Sequence, residues 1–410
     1  MVQEVILDPI PLSNYKDIIS SESYTEIESL AKKLSGVRII HLNTSPTGGG
    51  VAEILKTLVP LQKGLGLEAH WFGGSENSSF FKITKQIHNY LQGKRGDLSE
   101  KDRDVYLKTN EEIAKTLSTL EADIWMIHDP QFAAVIEFHK NLHPSIWRSH
   151  IDTSKPNLFV WRFLLPFIKK YDRYIFTIRK YIGPELDYKK ARIIPPAIDP
   201  LSAKNKPLNL GEADKIVKRF GVSAMLPLVS QISRFDPWKD PWGVIDAYRI
   251  AKREFPTLQL ALIGVFAPDD PEAKEIVKDL IKYSKNDPKI FILSNLDGVG
   301  NVEVNAFQTA SDVVVQKSTR EGFGLTVSEG MWKGKPVIGG RAGGIVEQID
   351  DGKNGFLVTT AAETAEKIIF LLKNPERANE IGKRGRETVR KKFLTTRLLL
   401  DHLKLYDELV

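Results

Sequence analysis

Short, β-branched apolar runs alternate with longer amphipathic stretches along most of this chain, a pattern that predicts strands and helices in turn. In the first half, residues 37–43, 67–72, 123–128, 146–151, 173–177 and 191–194 read as strands. Helical patterns separate them at residues 52–63, in a polar region from about 80 to 120, and at 133–140 and 157–171. Ahead of them, residues 1–35 form a lead segment whose helical part places Ile27, Leu30 and Ala31 on one side. Pro195-Pro-Ala-Ile-Asp-Pro200 and the polar Ser202-Ala-Lys-Asn-Lys-Pro207 break regular structure and read as a linker.

A second alternation follows, with strands at 226–232, 258–264, 289–293 and 312–316, a pattern that residues 336–338, 343–347 and 355–358 continue. Its helices lie at 242–255, 271–284, 302–309 and 325–333, before helical stretches at 361–373, 375–392 and 395–409. Continuously apolar strands alternating with helices predict α/β architecture, with parallel sheets covered on both faces. At 410 residues the chain exceeds what one core supports, so two domains are expected. The expected division is an extension over 1–35, one domain over 36–200, a second over 201–392, and a closing helix over 393–410 that packs back on the first domain.

Composition narrows the chemistry. Without cysteine there is no disulfide, thiolate metal site or cysteine nucleophile. Hydrophobic residues at 42% can build full cores, and no apolar run approaches the roughly 18 residues of a membrane span. Residues 1–8 lack a basic start and a long apolar stretch, so a cytoplasmic protein with no membrane partner is expected. Abundant Lys and Glu, no Cys and four Met fit a heat-adapted protein. The net charge of +6 is interspersed with acids and forms no basic block, which disfavours nucleic acid as a partner.

In parallel α/β sheets, ligands bind beyond the carboxyl ends of the strands, so the polar groups there are the candidates. Ser318-Thr-Arg-Glu-Gly-Phe-Gly-Leu-Thr-Val-Ser-Glu329 follows a strand and enters a helix, placing Glu321 in the loop and Glu329 about a turn inside. Such a loop offers unbonded N–H groups and a positive helix end to an anion. Ser233-Arg-Phe-Asp-Pro-Trp-Lys-Asp240 leaves another strand, and Arg234 and Lys239 suit a diphosphate. In the first half, Gly48 to Gly50 follow a strand and let backbone approach a ligand, although neither a dinucleotide fingerprint nor a P-loop is present. His128-Asp129-Pro130, Arg148-Ser149-His150 with Asp152, and Arg179-Lys180 stand where three further strands end. Asp102-Arg-Asp104 lies in a charged helical run and reads as a solvated face, so no metal is expected.

Together these residues resemble the nucleotide-sugar-dependent retaining glycosyltransferases of the GT-B fold, glycosyltransferase family 4. The Glu321 and Glu329 pair resembles the family's E-x7-E signature, Arg234 and Lys239 its diphosphate-binding bases, and Gly48 to Gly50 its amino-terminal glycine loop. Residues 336–348 and 351–358 resemble its carboxy-terminal strings, and the likeness covers about residues 36–410. His41-Leu-Asn-Thr-Ser-Pro-Thr-Gly-Gly-Gly-Val-Ala-Glu53, His128-Asp-Pro-Gln131, Trp147-Arg-Ser-His-Ile-Asp152 and Pro195-Pro-Ala-Ile-Asp-Pro-Leu-Ser202 resemble the trehalose glycosyltransferring subgroup.

The resemblance implies two Rossmann-like, doubly wound domains facing across a cleft, and transfer of glucose from UDP-, ADP- or GDP-glucose to free glucose, reversibly. It implies no cofactor or metal and allows a homodimer. Glu321, Arg234, Lys239 and His150 would be catalytic. Glu329, the backbone N–H groups of Leu325, Thr326 and Val327, and Gly49 and Gly50 would bind nucleotide and phosphate. Gly322, Phe323, Gly324, Asp152, His128 and Arg179 would meet the donor or acceptor sugar. A family 4 transferase with a sucrose-synthase-like or glycogen-synthase-like acceptor is the alternative. A glycoside hydrolase would leave Arg234, Lys239 and the glycine loop unexplained, and a nucleic-acid-binding protein lacks a clustered basic face.

Overall fold

The computed structural model describes residues 2–46, 49–74, 78–266 and 273–410. The chain forms two compact units, Met1–Pro196 with Thr395–Val410, and Ala197–Leu394.

The first unit is built on strands β1 (Gln3–Glu4), β2 (Arg38–Asn43), β3 (Glu68–Gly73), β4 (Ile124–His128), β5 (Ser145–Arg148), β6 (Arg173–Phe176) and β7 (Ala191–Ile193), in spatial order β1-β3-β2-β4-β5-β6-β7. All neighbours are parallel except the β1–β3 pair. Every residue of β4 and β5 is buried, the polar His128, Ser145 and Arg148 included, as in a parallel sheet covered on both faces.

The lead segment packs on this unit. Its first residues add β1 to the sheet edge, and the Ile10 N–H donates to the Pro60 carbonyl at 3.0 Å. The helix Ser21–Lys33 packs on the terminal helix Thr395–Asp407, with Lys404 Nζ 2.7 Å from Glu26 Oε1. That terminal helix lies against the helix Gly50–Gly64 as well, so the last residues of the chain complete the first unit.

The second unit carries β8 (Leu228–Ile232), β9 (Gln259–Gly264), β10 (Ile290–Ser294), β11 (Val313–Gln316), β12 (Val337–Gly340) and β13 (Phe356–Val358), all parallel, in the order β10-β9-β8-β11-β12-β13. Alternate residues feed different cores. Val229, Leu260 and Leu262 join one buried cluster, while Leu228, Ala261 and Ile263 join another. That division is the two-residue period of a sheet covered on both faces. A helix at Leu210–Lys218, not evident in the sequence pattern, is capped by the Asn209 side chain on the Glu212 N–H at 2.9 Å. Near the two crossings of the chain, the Ile198 N–H donates to the Phe393 carbonyl at 2.9 Å.

Strand order reverses direction between β2 and β4 in the first sheet and between β8 and β11 in the second. A topological switch point leaves a crevice beyond the carboxyl ends of the two central strands. Residues 44–46 and Gly49, with Asp129, flank the first switch point, and the loops carrying Arg234, Lys239 and Glu321 flank the second.

Candidate functional site

At the second switch point, Gln231 near the end of β8 joins the two loops. Its Nε2 donates to the Lys239 carbonyl at 3.0 Å, and its Oε1 accepts from the Lys317 N–H at 3.0 Å. The Trp238 carbonyl accepts from the Thr319 N–H at 2.8 Å, and Lys317 Nζ pairs with Asp240, so the loops are joined by both backbone and side chains. Asp240 sits in the left-handed region at φ 46° and caps the helix Pro241–Lys252 through the Gly243 N–H.

This frame brings Lys239 to Glu321: Lys239 Nζ is 2.6 Å from Glu321 Oε2, which also accepts from Ser318 Oγ at 3.0 Å. Glu321 is buried, so its charge is compensated by an ammonium and a hydroxyl instead of bulk water. Arg234 Nη2 is 3.8 Å from Asp236 Oδ2 in the same loop.

Beyond Glu321 the chain turns into the helix Leu325–Trp332 through Gly324, at φ 85° and ψ 67°. Gly324 has no side chain with which to cap that helix. Leu325 and Thr326 therefore present first-turn N–H groups, while the Val327 N–H donates to the Gly324 carbonyl at 3.0 Å. Of the three amides expected to receive phosphate, that of Val327 is already engaged, because the first turn tightens onto its cap.

The glycine string after β12 has a steric cause. A Cβ on Gly340 would lie 2.1 Å from the Ser318 carbonyl oxygen, and one on Gly344 would lie 2.7 Å from the Gly322 carbonyl oxygen. Gln348 holds the loop from the same side, its Nε2 donating to the Phe323 carbonyl at 2.6 Å. Gly322, Phe323 and Gly324 thus form a backbone ledge with Phe323 buried beneath it.

Glu329 lies inside the helix, 2% exposed, accepting from Gln308 Nε2 at 3.1 Å and standing 3.7 Å from Lys204 Nζ. One turn on, Lys333 is pushed down to about 8 by burial, which the Glu329 carboxylate partly offsets. Lys204 and Gln308 had no visible link to Glu329 in the sequence, since only the fold brings them there.

In the first unit, Gly49 takes φ 82° at the start of the helix Gly50–Gly64, with open space where a Cβ would stand. Gly48 lies outside the described residues. Arg179 is exposed beyond β6, and Asp152 is buried in a turn that accepts the Ser154 N–H at 2.9 Å.

His128 and His150 form the end of a buried chain of rings. His41 Nδ1 lies 3.1 Å from His128 Nε2, and His128 Nδ1 lies 3.0 Å from His150 Nε2, with successive rings edge to edge within 23° of coplanar and their centroids 5.4 and 5.3 Å apart. Behind them Gln62 Oε1 is 3.1 Å from His41 Nε2, and Gln62 Nε2 donates to the Tyr406 hydroxyl at 2.9 Å. His128, expected beside a sugar, is 1% exposed with both nitrogens committed to neighbouring histidines. It supports His150 and cannot itself grip a ligand. Burial first, and the nearby Arg148 charge after it, lower the pKa of His150 well below the ordinary imidazole value.

Asp129 holds the same corner in a rarely populated conformation, φ 62° and ψ 177°. Its N–H donates to the Arg148 carbonyl at 2.8 Å, its carbonyl accepts Trp147 Nε1 at 3.0 Å, and its carboxyl accepts the His150 N–H at 2.7 Å. Burial raises this carboxyl to about 7 despite that bond and Arg148. Arg148, which the sequence placed among the loop-end groups, is buried behind the sheet end, donating to His402 Nε2 at 2.7 Å and to the Ile194 carbonyl at 3.3 Å. The candidate D-x-D residue Asp102 accepts from the Ser99 N–H at 3.1 Å in a helix capping box.

Residues 41–183 match the trehalose synthase N-terminal domain family, and residues 213–388 match the glycosyl transferases group 1 family. A trehalose synthase from Pyrococcus horikoshii is 48% identical over 399 residues, covering 97% of this chain and 96% of the relative. One from Rubrobacter xylanophilus is 48% identical over 415 residues, covering 100% of both chains. The fold also matches a sucrose-phosphate synthase from Thermosynechococcus elongatus, with TM-score 0.71 and 18% identity over 91% of this chain and 99% of that one. Anabaena HepE in complex with UDP-glucose matches with TM-score 0.67 and 17% identity, over 91% and 100% of the two chains.

Proposed function

Given that the chain belongs to the trehalose synthase family of GT-B glycosyltransferases, we propose that it moves glucose from UDP-, ADP- or GDP-glucose to the anomeric hydroxyl of free glucose. The products are α,α-trehalose and the nucleoside diphosphate, and the reaction is reversible. The observation that carries this reading is the Lys239–Glu321 pair at the second switch point, beside an uncapped helix start. A leaving diphosphate needs positive charge, and a hexose needs a fixed hydrogen-bond acceptor; the pair supplies both within one ligand's length.

In the second unit, Arg234, Lys239 and the N–H groups of Leu325 and Thr326 take the diphosphate. Their fixed positive ends stabilise the charge that develops as the glycosidic C–O bond to phosphate breaks. Glu321 accepts from donor-sugar hydroxyls over the ledge of Gly322, Phe323 and Gly324, and Glu329 accepts from the ribose hydroxyls. In the first unit, His150, Asp152 and Arg179 serve sugar hydroxyls, while Gly49 and Gly50 admit phosphate or acceptor without Cβ obstruction. Attack occurs on the face the diphosphate leaves, with a phosphate oxygen taking the acceptor proton, so no carboxylate nucleophile is required. Glu321 suits this role, since Lys239 and Ser318 already hold one of its oxygens. HepE solved with UDP-glucose supports a nucleotide-glucose donor.

Supplying each of the three nucleotide glucoses with free glucose, and analysing the products by chromatography and anomeric proton NMR, tests the reading. Trehalose and stoichiometric nucleoside diphosphate are expected. Nucleotide-sugar turnover giving a different disaccharide would replace the acceptor, and trehalose hydrolysis without nucleotide would overturn the transferase reading.

A further inference from the structure

His150 is the outermost of three histidines whose ring nitrogens face one another, and it is only partly exposed. Each close nitrogen–nitrogen contact must hold one proton, because two lone pairs repel and two N–H groups clash. The direction in which those protons point is set at the inner end. Gln62 turns its amide nitrogen to the Tyr406 hydroxyl, 2.9 Å away, leaving its carbonyl oxygen 3.1 Å from His41 Nε2. In this amide orientation the carbonyl oxygen accepts, so His41 carries its proton on Nε2. Its Nδ1 is then an acceptor, which requires the proton on His128 Nε2, and the same step requires it on His150 Nε2. The Tyr406 hydroxyl can donate or accept, and the opposite amide orientation would reverse every tautomer in the chain.

We propose that Gln62, His41 and His128 are positioning residues that lock neutral His150 in the Nε2–H form, leaving its Nδ1 lone pair as a hydrogen-bond acceptor for a substrate hydroxyl. The inference rests on the role given to His150 above and adds what that role does not specify, the hydrogen-bonding sense of the ring. Gln62 and His41 are wholly buried, and successive rings lie within 23° of coplanar, as in-plane N–H···N bonding requires, so the tautomer chosen by one amide is passed along the chain. Burial lowers the pKa of all three histidines, in keeping with neutral rings.

His402 provides an internal reference of opposite sense. Arg148 can only donate, so His402 Nε2 accepts from it, and His402 Nδ1–H donates to the Leu398 carbonyl at 2.7 Å.

Long-range nitrogen–proton correlation NMR of the full-length protein labelled with ¹⁵N-histidine reads each tautomer directly. Expected are Nε2–H for His41, His128 and His150, and Nδ1–H for His402. Nδ1–H on the first three, or a cationic His150 at neutral pH, overturns the lock. Gln62→Leu should leave His150 with mixed tautomers and lower kcat by about tenfold with little change in donor KM, as losses of outer-shell partners do. Gln62→Glu, whose carboxylate still accepts from His41, should restore the Nε2–H signature; a normal signature in Gln62→Leu refutes the relay. His150→Ala tests the separate role: unaltered turnover there would remove His150 from the reaction while the wild-type spectrum still decides the lock.

Discussion

Lys239 Nζ and Glu321 Oε2 stand 2.6 Å apart although 82 residues separate them, joining the loop after β8 to the loop after β11. The pair is partly buried, so each charge depends on the other. Lys239→Met should lower kcat/KM at least a hundredfold, a loss of about 3 kcal/mol of transition-state stabilisation. Adding Glu321→Gln should cost much less than the sum of the single losses, because residues acting as a unit are not additive. Steady-state kinetics of the two single variants and the double variant check this, and near-normal turnover by Lys239→Met would remove it from the diphosphate.

Glu329 should act on binding. Glu329→Ala is expected to weaken UDP or ADP binding about tenfold, in the range of a lost charge-assisted hydrogen bond of about 1.5 kcal/mol. Isothermal titration calorimetry measures it, and unchanged affinity would assign the ribose elsewhere. Because the variant also uncouples Lys204 and Gln308, its thermal midpoint should be measured alongside.

Acid should destabilise the first unit through its histidines. Burial lowers the pKa of His41, to about 4, and those of His128, His150 and His402 well below the ordinary value. Between the unfolded value of 6.5 and the folded one, unfolded histidine binds a proton that the native ring does not. Stability therefore falls as pH drops through that window, by on the order of 1 kcal/mol per pH unit for each fully shifted histidine. Asp129, raised to about 7 by burial, acts in the opposite sense, losing stability as pH rises from 3.8 to 7. Urea unfolding from pH 4.5 to 7.5 should show net acid loss, and Asp129→Asn should steepen it. A flat profile in both proteins would contradict neutral buried rings.

Metal removal should leave turnover intact. The proposed stabilisation of diphosphate uses Arg234, Lys239 and two backbone N–H groups, and Asp102 of the D-x-D sequence caps its own helix. Activity in excess EDTA should match the untreated rate. Loss restored only by Mn²⁺ or Mg²⁺ would show that these groups are insufficient.

The architecture was legible because it repeats locally. Apolar runs such as residues 260–263 and 313–315 show burial on both sheet faces, and the loops that follow such strands carry Arg234, Lys239 and Glu321 within a few residues of a strand end. The sequence also contained the cause of the uncapped helix start, since Gly324 offers no side chain where a cap would stand.

Contacts without a local period were not legible. Gln62 meets Tyr406 across 344 residues, Arg148 meets His402 across 254, and His41 meets His128 across 87, and each residue alone looks like an ordinary polar group on a strand or helix. By itself the sequence determined two parallel α/β sheets and the loops at their switch points, because periodicity and turn chemistry are properties of neighbouring residues. Only the tertiary structure decided that Val327 spends its amide on Gly324 and that His128 stands behind His150. Those outcomes depend on which buried donors and acceptors meet once distant segments pack, and a buried polar group must find its partner wherever the fold puts one.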